Sequence, residues 1–523
     1  MNKAKQRYDA LRSIRDDFLQ QALTASRLTL PYLIKDDDDD STHKNLKTPW
    51  QSVGAKGVAA LSSKLMLALL PVNTSFFKLQ LDEAQLKKYG MDPKVKSELD
   101  LSFAKIERTI LNSIAASDDR VAIHQALKHL VVSGNALIYM AKDQLKIYPL
   151  NRYVISRDGM GNVIEIVTKE KINRKLVEEQ LPVKDKEPNQ PMDQMSQGTR
   201  SEDVDVYTYV KREGNKYVWH QEVWGKILPK SRGSAPLNTT PWLPLTFNKV
   251  DNEAYGRGRV EEFIGDLKSL EALSQALVEG SAAAAKVVFT VSPSSTTKPA
   301  TLASAGNGAI VQGRPDDIGV VQVGKGADFA TAANMIQTLE RRLSEAFLIL
   351  NVRQSERTTA EEVRMTQMEL EQQLGGLFSM LTVEFLVPYL NRKLSVAQRS
   401  GSIPKLPKDM VQPTIVAGVN ALGRGQDREA LTTFMTTIAQ TMGPEAIAQY
   451  VNPDEVIKRL AAAQGIDTLN LVKSQQELQA EQQQAAQLQR QQAMDAQASK
   501  FAQVNMQQQQ NAGNTQEPTP PQG

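Results

Sequence analysis

The sequence contains no cysteine and only four histidines among its 523 residues. Without cysteine, disulfide bonds and cysteine-ligated metal sites are excluded. The histidines include no pair with the spacing of an H-E-x-x-H zinc motif, and no Gly-x-Ser-x-Gly nucleophile elbow is present. We therefore expect a protein that is not an enzyme and that needs no metal or cofactor.

Long hydrophobic runs and an excess of one charge are also missing. The strongest apolar run, from Leu61 to Val72, is interrupted by Lys64 and closed by Pro71, which makes it too short to cross a bilayer. The first residues show no apolar signal core, which predicts an intracellular protein. The formal net charge is only +3, so bulk attraction to DNA or to an acidic membrane is not expected.

The N-terminal half has the mixed periodicity of an α+β fold. Apolar spacing predicts a helix over residues 3–30 and an amphipathic pair over residues 101–140. Gly134 and Asn135 then predict a break before an entering strand. Strand patterns follow between 145 and 168 and at 204–210 and 217–223. The acidic run 36–40 is interpreted as a solvated loop, and the Pro-, Gln- and Lys-rich segment 180–203 as a mobile surface insertion.

Two long helical stretches dominate the middle of the chain, from about Gly258 to Val288 and from about Phe329 to Leu394. A 30-residue helix is roughly 45 Å long, which suits a wall or strut better than the inside of a small globule. A polar loop, residues 351–358, breaks the second stretch and carries Arg353 and Arg357. These guanidinium groups suit contact with an anion.

The segment Gly319–Gly326 is the nearest approach to a catalytic motif. It is one residue short of a phosphate-binding loop, because Gly326 stands where a serine or threonine should hold Mg²⁺. Its β-branched residues favour a strand and turn instead. After about Lys473 the chain becomes rich in Gln and Ala, and its last dozen residues are predicted to be disordered.

Several short blocks, spread in order from about residue 5 to 470, closely resemble the portal proteins, or head-to-tail connectors, of short-tailed bacteriophages. The Gln-rich tail departs from that pattern. The blocks that carry the resemblance are Thr48-Pro49-Trp50-Gln51-Ser52-Val53-Gly54-Ala55-Lys56-Gly57, Ser63–Leu69, Tyr255-Gly256-Arg257, Gly265–Glu271, Gly313–Ile318, Thr359–Arg364, Leu374-Gly375-Gly376 and Gly423–Asp427.

The resemblance implies a ring, usually a dodecamer, at one capsid vertex with the genome passing through its central channel. It also implies an α+β wing, a stem of long helices, a small β-containing clip and a helical crown. The implied boundaries are wing 1–256, stem helices 257–288 and 329–350, clip 289–328, tunnel loop 351–358, long wing helix 359–395, crown 396–473 and Gln-rich tail 474–523.

The resemblance further implies a set of partners in the virion and in the host cytoplasm where the ring is assembled. These are double-stranded DNA, the terminase large subunit, major capsid and scaffolding proteins, tail adaptor or nozzle proteins, and internal core proteins, with no membrane. The residues expected to contact DNA are Arg353 and Arg357 on the tunnel loop and Lys268 and Lys286 on the first stem helix. A solvated or inter-subunit face also explains each single helix charge.

Two other classes stay open on the sequence. A packaging ATPase would need a complete phosphate-binding loop, which Gly319–Gly326 does not supply. An internal core or scaffolding protein of the virion is suggested by the Gln-rich tail, but that class would lack stem, clip and tunnel loop.

Overall fold

A computed structural model describes most of the chain and divides it into two compact units, Met1–Ala421 and Leu422–Gly523. The described residues are 3–35, 46–70, 76–81, 93–142, 144–181, 203–284, 288–306, 308–321, 326–349, 376–377, 379–404, 411–415, 419–443, 451, 453 and 456–457. The predicted insertion 180–203, the tunnel loop 351–358 and the Gln-rich tail therefore fall largely or wholly outside them.

The described part of the first unit contains both helices and strands. Its helices are α1 Lys3–Arg27, α2 Val53–Leu69, α3 Pro93–Ala115, α4 Asp119–Ser133, α5 Arg174–Gln180, α6 Arg259–Glu262, α7 Ile264–Ala284, α8 Pro299–Ser304, α9 Gly326–Ala346 and α10 Val387–Arg399. A π-helical turn, Thr382–Leu386, leads directly into α10.

The strands form four sheets with antiparallel pairing throughout the described residues. They are β1 Phe77–Leu81, β2 Asn135–Met140, β3 Leu145–Tyr148, β4 Tyr153–Arg157, β5 Val163–Asn173, β6 Asp203–Glu213, β7 Lys216–Val223, β8 Lys226–Ile227, β9 Gly233–Pro236, β10 Trp242–Thr246, β11 Val288–Val291, β12 Ile318–Val321 and β13 Val411–Ile415. The largest sheet runs β4-β5-β6-β7-β8, with β9 also pairing with β7.

One main hydrophobic core joins parts of the chain that are far apart in sequence. Apolar residues of α1 to α4 and of the β10-β2-β3 sheet share it with residues of α7, α9 and α10. A smaller cluster seats the start of α1 on the large sheet, where Tyr8 packs against Tyr207 with ring centroids 5.6 Å apart. The mixed α and β class predicted from the sequence is thus confirmed.

Both long helices end earlier than the sequence indicated. The first ends at Ala284 in the described residues, and Val288 already belongs to strand β11. The second begins at Gly326 and ends at Ala346, short of the predicted residue 350, because Leu348 takes a left-handed φ of 55°. Such a residue cannot continue a right-handed helix.

The segment predicted as a helical crown, 396–473, also contains a strand. β13 pairs with β1 in the register Phe77↔Ile415 to Leu81↔Val411, so this part of the segment joins a sheet with the N-terminal half. Helix α11, Val419–Met442, follows and carries the chain into the second unit, where it is the longest element described.

Candidate functional site: the helix pair, its tip and its base

Helices α7 and α9 form an antiparallel pair of 21 residues each. At 1.5 Å per residue each is roughly 31 Å long. Arg342 near the end of α9 reaches Asp266 near the start of α7, with Nη2 and Oδ2 3.0 Å apart. At the opposite end, a Cβ on Gly280 would lie 2.9 Å from the Phe329 ring. These two contacts fix the antiparallel direction.

Each of the two helices carries a stripe of apolar residues that packs mainly against residues of the same chain. Leu267, Leu270 and Leu343 are fully buried within the main core, and Leu339 is almost so. Leu273 and Ile336 pack against that core while staying partly exposed. The buried residues of the stripe therefore join one helix to the other and to the body of the unit.

The far end of the pair, which we call the tip, is the described chain from Val288 to Val321. Strands β11 and β12 pair antiparallel there, from Val288↔Val321 to Val291↔Ile318. Thr290 Oγ1 donates a hydrogen bond to Gly319 O at 3.2 Å, and a Cβ on Gly319 would lie 2.6 Å from that hydroxyl. The strand predicted for the start of Gly319–Gly326 is confirmed, while 322–325 lie outside the described residues.

The surface of the tip exposes apolar side chains on a small ordered frame. Phe289 is 57% exposed and Ile310 is fully exposed. Thr297, by contrast, is buried, and its Oγ1 donates to Gln312 O at 3.4 Å. The tip therefore exposes apolar surface, which is a common feature of protein interaction sites.

The base of the pair is held by three contacts at the end of α9. Arg259 donates from Nε and Nη2 to Ala346 O at 3.3 and 3.1 Å. Lys64 Nζ donates to Leu348 O. Phe347 is fully buried against Gly57 of α2, where a Cβ would lie 2.7 Å from the Phe347 Cγ. These groups satisfy carbonyls that a helix end leaves free, so the base is rigidly seated.

Close backbone contacts connect α4 and β2 to the start of the first long helix. Gly134 has a left-handed φ of 73°, and a Cβ there would lie 2.4 Å from the carbonyl carbon of Arg257. Asn135 donates from Nδ2 to Gly256 O and accepts from Gly256 N, both at 2.8 Å. The hydroxyl of buried Tyr255 accepts from Ile155 N at 3.0 Å, and burial raises its pKa.

Arg257 is engaged within this junction and is not free to contact a ligand. Its guanidinium donates to Glu253 at 2.8 and 2.5 Å and to Glu261 at 2.7 Å. It also lies over the Phe18 ring at 4.8 Å. Hydrogen bonding to Glu253 is the largest cause of its raised pKa, so the charge is used to tie the junction together.

Of the four residues predicted to contact DNA, only Lys268 lies within the described residues. Lys268 lies exposed on α7. Lys286, Arg353 and Arg357 fall outside the described residues. Arg341 of α9 is a further exposed cation that the sequence analysis missed, because helical spacing does not show which face is covered. Within the described part of the chain, the ion pairs involve neither Lys268 nor Arg341.

No group of three or more His, Asp or Glu side chains in the described ranges could hold a metal ion. The helices of those ranges also include none with the length and apolar character that a bilayer span requires.

Comparisons with known proteins converge on phage heads. The family model described as "Bacteriophage head to tail connecting protein" matches residues 1–472. The chain is 37% identical over 511 residues to the portal protein of Escherichia phage T7, covering 96% of this chain and 93% of that protein. It is 37% identical over 489 residues to the portal protein of Enterobacteria phage T3, covering 91% and 89%.

Two further comparisons show lower sequence identity. The portal protein of Enterobacteria phage SP6 is 28% identical over 508 residues, with 95% of each chain covered. Among solved structures, a chain from the neck of an empty GTA particle aligns with 80% of this chain and 90% of its own length, at 10% identity and a TM-score of 0.38.

Proposed function

The chain belongs to the bacteriophage head to tail connecting protein family, and on that premise we propose that it is the portal of a phage head, a structural conduit at the head-tail junction. The observation that carries the proposal is the firmly seated antiparallel helix pair with a small strand-bearing tip. The pair is roughly 31 Å long, and Leu267, Leu270 and Leu343 are buried at its base. A helix pair of this length and anchoring can form one segment of a channel wall.

The domain assignment follows from this proposal. Residues 257–288 and 329–350 form the stem, 289–328 the clip, 351–358 the tunnel loop and 396–473 the crown. The wing is built from 1–256 and 359–395. Contacts between parts far apart in sequence favour the two-part wing, since Thr246 of β10 donates from Oγ1 to Glu384 at 3.0 Å.

The assembly that we propose is a closed ring, a dodecamer, in which copies of the chain meet through two different faces. A cyclic head-to-tail contact that closes produces a ring and not a fibre. Double-stranded DNA passes through the channel, with the terminase large subunit and later tail adaptor or nozzle proteins on the clip. Major capsid, scaffolding and internal core proteins contact the wing and crown.

The contact with DNA is proposed to be weak and repeated. Each neutralised phosphate adds affinity and salt dependence, so a channel coated with Lys and Arg would hold the DNA in place. Exposed Lys268 and Arg341 are accompanied on the helix pair by exposed Glu279, Glu340 and Glu345. Lys286, Arg353 and Arg357 complete the proposed set of cations, with the two arginines at the narrowest point.

Charge reversal at Arg353 tests this arrangement. Arg353→Glu should impair genome packaging far more than Arg353→Ala, because it places a carboxylate against the phosphates while both variants still assemble. Lys473→Glu, at the edge of the Gln-rich tail, is the matched control and should leave packaging unchanged. Equal packaging by the Ala and Glu variants, with equal losses of thermal stability, would assign Arg353 a structural role instead.

A deletion of Ser294–Ala300 tests the clip assignment. It should leave assembly intact, because the helix pair is seated at its opposite end by Arg259 and Lys64. Binding of terminase and of the tail adaptor, measured by co-sedimentation with purified rings, should both be lost. Intact rings that still bind both partners would show that docking occurs elsewhere.

A packaging ATPase is the less favoured alternative. In the described residues, Gly319 sits in a strand ladder opposite Thr290, and the Thr290 hydroxyl fills the space beside it. An anion-cradling loop needs free backbone amides at that place. Hydrolysis of ATP by the purified chain would overturn the structural assignment.

A further inference from the structure

A cavity of about 210 Å³ lies away from the helix pair, between α3, the turn from β2 to β3, and the second half of α10. Its described lining includes three cations, Lys142, Arg392 and Lys393, against one carboxylate, Asp119. The hydroxyls of Ser400 and Ser402 also line it. The space exceeds that of several water molecules, each of which occupies about 30 Å³ in the liquid.

The single carboxylate of the described lining is engaged through one of its oxygens. Asp119 is buried, and its Oδ2 accepts from the Tyr389 hydroxyl and from Lys393 Nζ, each at 2.5 Å. Burial and the neighbouring Asp119 raise the pKa of Tyr389, so its proton stays on the hydroxyl. Asp119 and Lys393 therefore compensate each other, which leaves Arg392 and Lys142 as the uncompensated charges of the described lining.

Arg392 has donor capacity that the described residues do not satisfy. Its Nη1 donates to Thr239 O at 3.3 Å, while its Nε is buried and has no hydrogen-bond partner in the described part of the chain. Burial, together with the positive charge of Arg399, lowers the pKa of Arg392. A guanidinium held under these conditions would be stabilised by an anion that accepts its free N–H groups.

We propose that this cavity is an oxyanion site, with Arg392 as the fork that holds a phosphate-sized anion and Lys142 as the second charge. The hydroxyls of Ser400 and Ser402 contact each other at 2.9 Å, and Ser400 Oγ donates to Ala397 O at 3.0 Å, so these two groups shape the rim of the cavity and are not counted as donors to the anion. A planar guanidinium matches two oxygens of a tetrahedral anion, which a carboxylate-compensated lysine such as Lys393 cannot do. The group bound is a phosphate, free in solution or part of a nucleic-acid backbone. The site does not depend on ring formation.

Titration of the full-length chain with inorganic phosphate, followed by calorimetry at low salt, tests the site. We expect saturable binding that Arg392→Gln weakens by about tenfold or more, since a charge-assisted hydrogen bond to a buried group is lost. Lys142→Gln changes only an exposed side chain and should weaken binding without affecting folding. Arg232→Gln removes an exposed arginine outside the cavity and is the matched control, with no expected change.

A second arm uses a short duplex DNA of random sequence. Loss of duplex binding in the Arg392 and Lys142 variants, and not in the Arg232 variant, assigns the phosphate to a DNA backbone. Phosphate binding without any such effect on duplex binding assigns it to the free ion. Absence of saturable phosphate binding, or binding unchanged in both cavity variants, would overturn the proposal whether or not the chain forms rings.

Discussion

At the scale of single residues, the close approach of Gly57 to Phe347 is the contact that most directly seats the helix pair. The first atoms of the Phe347 side chain would meet a Cβ on Gly57 at 2.7 and 2.9 Å, so the ring cannot simply swing aside. A methyl group placed there must push α2 away from the end of α9. Overpacking of this kind costs about 1–3 kcal/mol.

Gly57→Ala is therefore expected to destabilise the protein despite the better helix propensity of alanine. The free energy of unfolding, measured by urea denaturation, should fall by about 1–2 kcal/mol. Gly265→Ala is the control, because a Cβ on Gly265 meets nothing within 4 Å. It should be neutral or stabilising by up to about 1 kcal/mol. A stabilising Gly57→Ala would show that the base is loosely packed.

His129 is the residue whose titration should be visible in stability. It is buried, its Nδ1 has no partner among the described residues, and burial lowers its pKa to about 4. In the unfolded chain the pKa is about 6.5. Below pH 6.5 the imidazole is therefore protonated in the unfolded state but not in the folded state. The free energy of unfolding falls as the pH is lowered from about 6.5 to about 4.

His129→Leu should remove this contribution. Between pH 7.5 and pH 5, the wild-type chain is expected to lose about 2 kcal/mol more unfolding free energy than the variant. The half-buried His124, which contacts the hydroxyls of Ser62 and Ser63, provides the comparison His124→Leu, for which the difference should be smaller. Parallel pH profiles for wild type and His129→Leu would mean that the imidazole is already solvated.

Single residues were the hardest feature to predict from the sequence. Gly134 was correctly placed as a break because a glycine followed by asparagine after an apolar helix is a local signal. The tight contact at Gly57 and the fully buried guanidinium of Arg15 have no such signal. Both depend on partners far away in sequence, Phe347 in one case and the carbonyl of Asn151 in the other.

At the scale of elements, the end of α9 depends on a cation from the start of the first long helix. Arg259 caps Ala346 O with two N–H groups while also pairing with Glu262 through Nη1 at 2.6 Å. The side chain is 29% exposed, so solvent screens part of the interaction. The cap should matter more for local order than for total stability.

Arg259→Met is expected to speed amide hydrogen exchange over residues 343–349 and to cost about 1 kcal/mol of unfolding free energy. Arg341→Met removes an exposed arginine from α9 itself. This variant should change neither the exchange rates nor the free energy of unfolding. If exchange rates over 343–349 are identical in the two variants, the prediction is wrong. The end of α9 would then be held by Lys64 and Phe347 without a contribution from Arg259.

Element type was largely predictable, whereas element ends were not. Helix α1 and the strands β6 and β7 lie where their periodicity placed them. The C-terminal ends of α7 and α9 come before the predicted residues 288 and 350, because Val288 pairs with Val321 and Leu348 adopts a left-handed backbone, whereas α9 begins at Gly326, before the predicted residue 329. Strand β13 was missed since its partner β1 is more than three hundred residues away in sequence.

At the scale of the whole molecule, several of the short blocks that carry the family resemblance meet at one junction of the fold. Gly57, Gly256 and Arg257 belong to the blocks, and each lies where the helix pair joins the body of the unit. The ring itself could not be derived from composition or periodicity. On the two long helices, Leu267, Leu270 and Leu343 are buried within one chain, whereas Leu273 and Ile336 stay partly exposed.

Electron microscopy of the purified full-length chain, with two-dimensional class averages collected at physiological salt, tests the central claim most directly. The account predicts closed, rotationally symmetric rings with a central hole wide enough for duplex DNA. Sedimentation velocity on the same sample supplies the mass of the ring. A monodisperse monomer at micromolar concentration, or open chains of copies that do not close, would contradict the portal assignment.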